Sequence, residues 1–92
     1  MKFEWDENKN NINIAKHNIS FNEAILVFYD SFAQIEESTK SNEFRQTIIG
    51  SIEKGTVFVV YLEKQGTLIR IISARKAKNK ERKFYEAQWE KI

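Results

Sequence analysis

The residues best suited to chemistry form a basic stretch near the end of the chain. Residues 70–83 hold seven lysines and arginines but one acid, Glu81, although the formal net charge of the whole chain is only +2. Three of the four arginines, Arg70, Arg75 and Arg82, lie in this stretch. Because a guanidinium pairs with two phosphate oxygens at once, the stretch favours a polyanionic partner such as RNA or DNA. A solvated basic face without a ligand is the alternative interpretation.

The residue types that are missing exclude other kinds of site. The 92 residues include no cysteine and a single histidine, His17. Disulfide scaffolds, thiolate zinc sites, cysteine nucleophiles and two-histidine sites within one chain are therefore excluded. We expect no metal and no cofactor. No apolar run approaches the roughly 20 residues of a membrane-spanning helix, so we expect no membrane contact and a cytoplasmic location.

The first third of the chain predicts one strand and two helices. Lys2–Trp5 alternates as a short strand, and the following helix, which Asp6 caps, runs to about His17 with Ile12 and Ala15 on its inner side. Asn18 tolerates the left-handed conformation that ends a helix. A second helix begins at a capping box, and its apolar residues repeat at helical spacing. These residues are Ser20 and Glu23 for the box, and Phe21, Ala24, Ile25 and Phe28 for the apolar side.

The rest of the chain predicts a meander of strands and a closing helix. The hydrophobic pattern has a period near two over residues 33–36, 44–51, 56–63 and 67–75, which predicts strands. Residues 77–91 are predicted to form the last helix. The third of these strands is apolar on both faces, which is typical of a central strand covered on both sides. We predict a single α+β domain over residues 1–92. It has an antiparallel sheet of four or five strands, two N-terminal helices and one C-terminal helix.

A series of motifs in fixed order resembles the BrnT family of toxins. The motifs are FEWDENK at 3–9, KHNISFNEA at 16–24, VFYD at 27–30, IIG at 48–50 and RIISARKAKNKERKFYE at 70–86. Asn18 and Ser31 stand where the family usually has glycine and proline. The resemblance implies a RelE-like fold and metal-independent cleavage of RNA that inhibits translation. It also implies a BrnA-type antitoxin and a toxin–antitoxin complex that represses its own operon, with the DNA contact made mainly by the antitoxin.

Metal-independent cleavage uses the 2′-hydroxyl of RNA as the nucleophile and needs a base, cations at the phosphorane oxygens and a proton source. We expect the guanidiniums of Arg70, Arg75 and Arg82 to converge on one phosphodiester. Arg70 interrupts an apolar strand in line with Leu68 and Ile72, where a buried guanidinium without a partner would be very costly. We therefore expect a carboxylate, a backbone cluster or a substrate phosphate beside it. An ion pair of Arg70 with Glu43 or Glu63 is the structural alternative.

The acid and base have several candidates. His17 is a candidate acid or base because it is the single histidine of the chain, but a histidine in the last turn of a helix can also serve as a cap. Tyr85 can donate a proton or stack on a base, yet its spacing to Trp89 also suits packing. Glu43 and Glu81 are candidate bases or partners of the arginines.

Six other basic residues are candidates for RNA binding. They are Lys16, Arg45, Lys76, Lys78, Lys80 and Lys83. Two alternatives to the ribonuclease stay open: a nucleic-acid-binding regulator that does not cleave, and a degenerate toxin that serves only as the partner of the antitoxin.

Overall fold

Five strands and three helices make up the part of the chain, residues 1–38 and 45–91, that the computed structural model describes. The strands are β1 (Lys2–Glu4), β2 (Gln34–Ser38), β3 (Arg45–Ile52), β4 (Gly55–Lys64) and β5 (Leu68–Lys76). The helices are α1 (Glu7–His17), α2 (Phe21–Ala24) and α3 (Asn79–Glu86), with 3₁₀ turns at Ile25–Tyr29 and Trp89–Lys91. Glu43 and the predicted strand start at Phe44 lie outside the described residues.

The strands form one sheet in the order β1-β5-β4-β3-β2. Its β2, β3, β4 and β5 pair as an antiparallel meander, whereas β1 is parallel to β5. The predicted α+β class is confirmed, but the sheet is mixed. Since β1 and β5 are far apart in the chain, no tight turn imposes an antiparallel direction on them.

The predicted ends of α1 and the predicted start of α2 are confirmed, whereas α2 and α3 are shorter than predicted and continue as 3₁₀ turns. The Asp6 carboxylate accepts hydrogen bonds from the backbone N–H groups of Asn8 and Lys9, and Asn18 ends α1 in the left-handed conformation. Ser20 and Glu23 form the reciprocal capping box of α2. Because Asn18 has a φ of 57°, an asparagine replaces glycine there at little cost.

The inner side of α1 is polar, which corrects the prediction for that helix. Ile12 is 62% exposed and Ala15 is also exposed, whereas Asn10 and Asn13 are buried. The Asn10 Oδ1 accepts a hydrogen bond from the Phe21 N–H at 2.8 Å. The hydrophobic pattern misplaces this helix because its buried side chains bond to the backbone rather than pack in the core.

Asn13 completes the hydrogen bonding of β5 beyond the end of β1. Pairing with β1 stops at Arg70, and at Ala74 the Asn13 amide takes the place of a neighbouring strand. Its Nδ2 donates to Ala74 O at 2.8 Å and to Ile19 O at 2.9 Å, while its Oδ1 accepts from Ala74 N at 3.1 Å. These bonds hold α1 at the edge of the sheet.

The apolar core lies between α2, the 3₁₀ turn at Ile25–Tyr29 and one face of the sheet. Its buried members include Ile19, Phe21, Val27, Ile48, Val57, Val59, Ile71 and Ala74. Gly50 permits the close approach of the 3₁₀ turn, because a Cβ at this position would lie 2.2 Å from the Val27 Cγ2. A side chain at Gly50 would therefore push this turn away from β3.

The opposite face of the sheet is only partly covered. On β4, Val57, Val59 and Tyr61 are buried against the helices, whereas Phe58 and Val60 on the other face are half-buried. The expectation that both faces of β4 are covered is therefore wrong for this second face. Its apolar side chains form the floor of an accessible surface.

We predict that Asn13→Ala lowers the free energy of unfolding by about 3 kcal/mol, because it leaves the N–H and C=O of Ala74 buried without partners. Urea denaturation measures the change. Asn11→Ala, at an exposed position of the same helix, is the control and should change stability by less than about 0.5 kcal/mol. Equal effects of the two substitutions would contradict the edge-completing role of Asn13.

Candidate functional site

The accessible face of the sheet, here called the open face, consists of three rows of residues that pair across the strands. The register places these residues side by side, in the rows Gln34–Ile49–Phe58–Arg75, Glu36–Thr47–Val60–Ser73 and Arg45–Leu62–Arg70–Glu4. The open face therefore carries three of the four arginines around the apolar side chains of β4, which are Phe58, Val60 and Leu62.

Arg75 stands at the centre of the first candidate site. Its guanidinium lies over the Phe58 ring, with the Cζ 4.1 Å from the ring centroid. The two Nη atoms donate to the two Glu81 carboxylate oxygens at 2.8 and 2.9 Å. The Arg75 side chain keeps 28% of its surface exposed and that of Glu81 keeps 22%. A cation and a carboxylate are thus fixed together at the surface.

The ion pair sets the charge of both partners. Hydrogen bonds from Arg75 are the main reason that the pKa of Glu81 lies below its usual range, and the Lys78 N–H adds a bond of 2.7 Å. The hydrogen bond with Glu81 likewise raises the pKa of Arg75. Glu81 is therefore a carboxylate at neutral pH, the form that can accept a proton.

Arg70 lies on the same face, at the other end of the rows. Its Nη1 donates to the Glu4 Oε2 at 2.9 Å, and the Lys64 Nζ donates to the same oxygen at 2.9 Å. The Arg70 side chain is 31% exposed, so it is not enclosed as the sequence suggested. The partner is Glu4 and not Glu63, while Glu43 is outside the described residues.

The alternation of residues along β1 already indicates that Glu4 lies on the open face. Phe3 packs against the core, so its neighbour Glu4 must project to the other face. The alternation does not show which strand lies next to β1. Glu4 can pair with Arg70 because β1 lies beside β5. The partner of Arg70 therefore comes from the opposite end of the chain.

The three guanidiniums do not converge, which corrects the expectation for this site. Arg70 and Arg75 pair with positions on β4 that are four residues apart, which corresponds to about 13 Å along the strand. Arg82 lies on α3, with its Nε 3.6 Å from the Glu86 Oε1 and its Nη2 3.3 Å from the Asn79 Oδ1. Each arginine has a carboxylate of its own.

Tyr85 docks α3 against the rest of the molecule. Its side chain is buried, its ring packs edge-on against Trp89, and its hydroxyl donates to the Asp30 Oδ2. Burial opposes ionisation of Asp30. Hydrogen bonds from Tyr85 and from the N–H groups of Ser51 and Phe32 outweigh it, so the pKa of Asp30 is lowered. The pKa of Tyr85 is raised by burial first and by Asp30 second. This geometry supports the packing alternative for Tyr85.

His17 and Lys16 lie at the end of α1, on the other side of the sheet from Arg75. His17 is half-buried in the last turn of the helix, where the Lys54 Nζ donates to the neighbouring Asn18 O at 2.7 Å. Among the described residues no hydrogen bond or ion pair links His17 to an arginine. A catalytic role for His17 stays a prediction.

The other candidate RNA-binding residues are all exposed. They are Lys76 at the end of β5, Lys78, Lys80 and Lys83 at α3, and Arg45 on the open face. The Lys76 Nζ donates to Lys54 O at 2.8 Å, toward the β3–β4 turn. Lys78 and Lys80 both precede Glu81 within one helical turn of the sequence, so further positive charge lies near the Arg75–Glu81 pair.

The described part of the chain holds neither a cluster of metal-ligating side chains nor a membrane-spanning helix. No group of three or more histidine, aspartate or glutamate side chains within residues 1–38 and 45–91 is placed to hold a metal ion. In the same ranges, no helix has the length and apolar character needed to cross a membrane.

Comparison with known proteins gives a family and a structural relative. A family model described as "Ribonuclease toxin, BrnT, of type II toxin-antitoxin system" matches residues 5–81. The 1.1 Å crystal structure of the Brucella abortus ribonuclease toxin BrnT aligns with a TM-score of 0.69 and 30% sequence identity. The alignment covers 86% of this chain and 99% of the Brucella chain. Among curated proteins, no match was found.

We predict that Tyr85→Phe destabilises the protein by about 2 kcal/mol at pH 7, because it removes a hydrogen bond to a partly buried carboxylate. The pKa of Asp30 is lower in the folded state than in the unfolded state, where it is about 3.9. Ionised Asp30 therefore stabilises the folded protein above the unfolded pKa, and this stabilisation is lost as the pH falls through the folded pKa.

The stability difference between wild type and Tyr85→Phe should therefore shrink below about pH 4. Thermal unfolding at pH 7 and at pH 3 measures it. Tyr29→Phe, at a tyrosine that is 67% exposed, is the matched control. A difference that stays constant with pH would contradict the Asp30–Tyr85 bond.

Proposed function

Since the chain belongs to the BrnT family, the ribonuclease toxins of type II toxin–antitoxin systems, we propose that it cleaves RNA as a metal-independent endoribonuclease. In this proposal the loss of RNA inhibits translation in the cytoplasm. A BrnA-type antitoxin neutralises the toxin, and the complex of the two binds operator DNA through the antitoxin.

The observation that carries the proposal is the Arg75–Glu81 pair on the open face. The pair joins the two groups that the reaction needs, a cation for the phosphate and a carboxylate for the proton. Both side chains are partly exposed, and both lie within the residues that the family model matches. A substrate can therefore reach them without rearrangement of the core.

In the proposed reaction, Glu81 takes the proton of the 2′-hydroxyl while the 2′-oxygen forms a bond to phosphorus. The bond from phosphorus to the 5′-oxygen breaks, and this oxygen takes up a proton from water. The products are a 2′,3′-cyclic phosphate and a 5′-hydroxyl. Arg75 stabilises the charge that builds on the phosphorane oxygens, because its fork matches two of them.

Arg70 has a different task in this proposal. Because it is about 13 Å along the strand from Arg75, it holds another phosphate of the same RNA strand. In the absence of RNA, Glu4 and Lys64 keep the Arg70 guanidinium in position. The exposed lysines beside α3 add affinity that depends on salt concentration.

We predict that Arg75→Ala reduces the rate of RNA cleavage about 100-fold or more, since it removes a charge-stabilising donor. Arg75→Lys keeps the charge but not the fork and should still lose at least about tenfold. The measurement is cleavage of single-stranded RNA in EDTA by the purified chain. The expected products end in a 2′,3′-cyclic phosphate.

Lys9→Ala is the control for the loss of one positive charge, because Lys9 is exposed on α1 at the far side of the sheet. Glu81→Gln tests the base and should lose as much rate as Arg75→Ala. Intact RNA after long incubation with the wild-type chain, combined with tight and salt-sensitive binding, would instead support the regulator that does not cleave.

The antitoxin is expected to cover the open face, because inhibition requires that RNA be excluded from Arg75. Hydrogen exchange of the toxin with and without antitoxin measures the contact. Protection should appear in β4, β5 and the N-terminal turn of α3. Protection confined to α1 and α2, with the open face exchanging as before, would contradict steric exclusion.

A further inference from the structure

A cleft of about 460 Å³ opens on the open face next to the Arg75–Glu81 pair. Its floor is formed by Ile49 and Phe58, and Phe58 is the ring on which the Arg75 guanidinium lies. Strand β2 contributes Glu36 to one wall. The cleft has the volume of a small-molecule site, and it shares its floor with the proposed catalytic pair.

Helix α3 forms the other wall and gives it an aromatic and a cationic side chain. Phe84 is 55% exposed, although it is a large apolar residue on a short helix. Lys80 lies one turn earlier and also lines the cleft. An exposed ring beside a lysine, next to an arginine proposed to bind phosphate, can stack on an unstacked base of single-stranded RNA.

Glu36 gives the cleft a specific polar group. Its carboxylate is exposed, and within residues 1–38 and 45–91 it has neither a hydrogen bond nor an ion pair. A carboxylate only accepts hydrogen bonds. Among the RNA bases, guanine alone presents two neighbouring N–H donors, N1–H and the N2 amino group, on its Watson–Crick edge. A carboxylate matches these two donors with two oxygens.

We propose that this cleft is a guanine subsite, in which Phe84 stacks on the base and Glu36 accepts hydrogen bonds from N1 and N2. The inference rests on the proposed function, since it places the guanosine beside the phosphate that Arg75 holds. Phe84 lies beyond residues 5–81, so this ring is not part of the family match, whereas Lys80 of the same wall is.

The test compares guanosine with inosine, which lacks the N2 amino group, in otherwise identical single-stranded RNAs. The wild-type chain should cleave next to guanosine about tenfold faster than next to inosine. Glu36→Gln should remove this difference while cleavage next to inosine continues. Glu37→Gln, one residue along the same strand on its other face, is the matched control and should keep the preference.

A second measurement separates this inference from the proposed function. Binding of 2′-O-methyl RNA, which lacks a free 2′-hydroxyl, is measured with the same guanosine and inosine oligonucleotides. If the wild type does not cleave but binds the guanosine RNA about tenfold tighter, and Glu36→Gln does not, the subsite stands and the proposed function fails. Equal binding and equal cleavage of the two RNAs, or a preference that survives Glu36→Gln, would overturn the subsite. Phe84→Ala should weaken binding of both RNAs about tenfold.

Discussion

The position of helix α3 depends on one carboxylate. Asp30 accepts hydrogen bonds from the N–H groups of Phe32 and Ser51 and from the hydroxyl of Tyr85, so it joins three separate segments. Burial of a carboxylate is costly unless such donors surround it. Tyr85 is the residue of α3 that is bound in this way, and Glu81 lies one turn earlier on the same helix. The Asp30–Tyr85 bond therefore fixes Glu81 beside Arg75.

The ion pairs of the open face are compatible with binding of RNA. A guanidinium uses the same donors for a carboxylate and for a phosphate, and both partners of each pair remain partly exposed. Partly exposed pairs contribute little to stability, so the exchange of a carboxylate for a phosphate has a small cost. In this account, Glu4 and Glu81 hold the guanidiniums in a conformation that is ready for the substrate.

Local sequence signals were sufficient to predict the secondary-structure elements, because helix caps and turns involve residues that are close in the chain. Asp6, Asn18 and the Ser20–Glu23 box marked the ends of α1 and the start of α2 correctly. The inner side of α1 was not predictable from hydrophobicity, because Asn13 is buried by bonds to Ala74, 61 residues away. The pairing of Arg70 with Glu4 spans 66 residues and follows from the parallel strand β1. The separation of Arg70 from Arg75 likewise depends on the register of β5.

The most direct test of the central claim is a crystal structure of the chain with a single-stranded 2′-O-methyl RNA, which cannot be cleaved at the modified positions. The account predicts that the RNA lies across the open face, with a phosphate oxygen within hydrogen-bond distance of the Arg75 guanidinium and Glu81 next to the adjoining ribose. An RNA that lies against α1 and α2, with the Arg75–Glu81 pair unchanged and out of its reach, would contradict it.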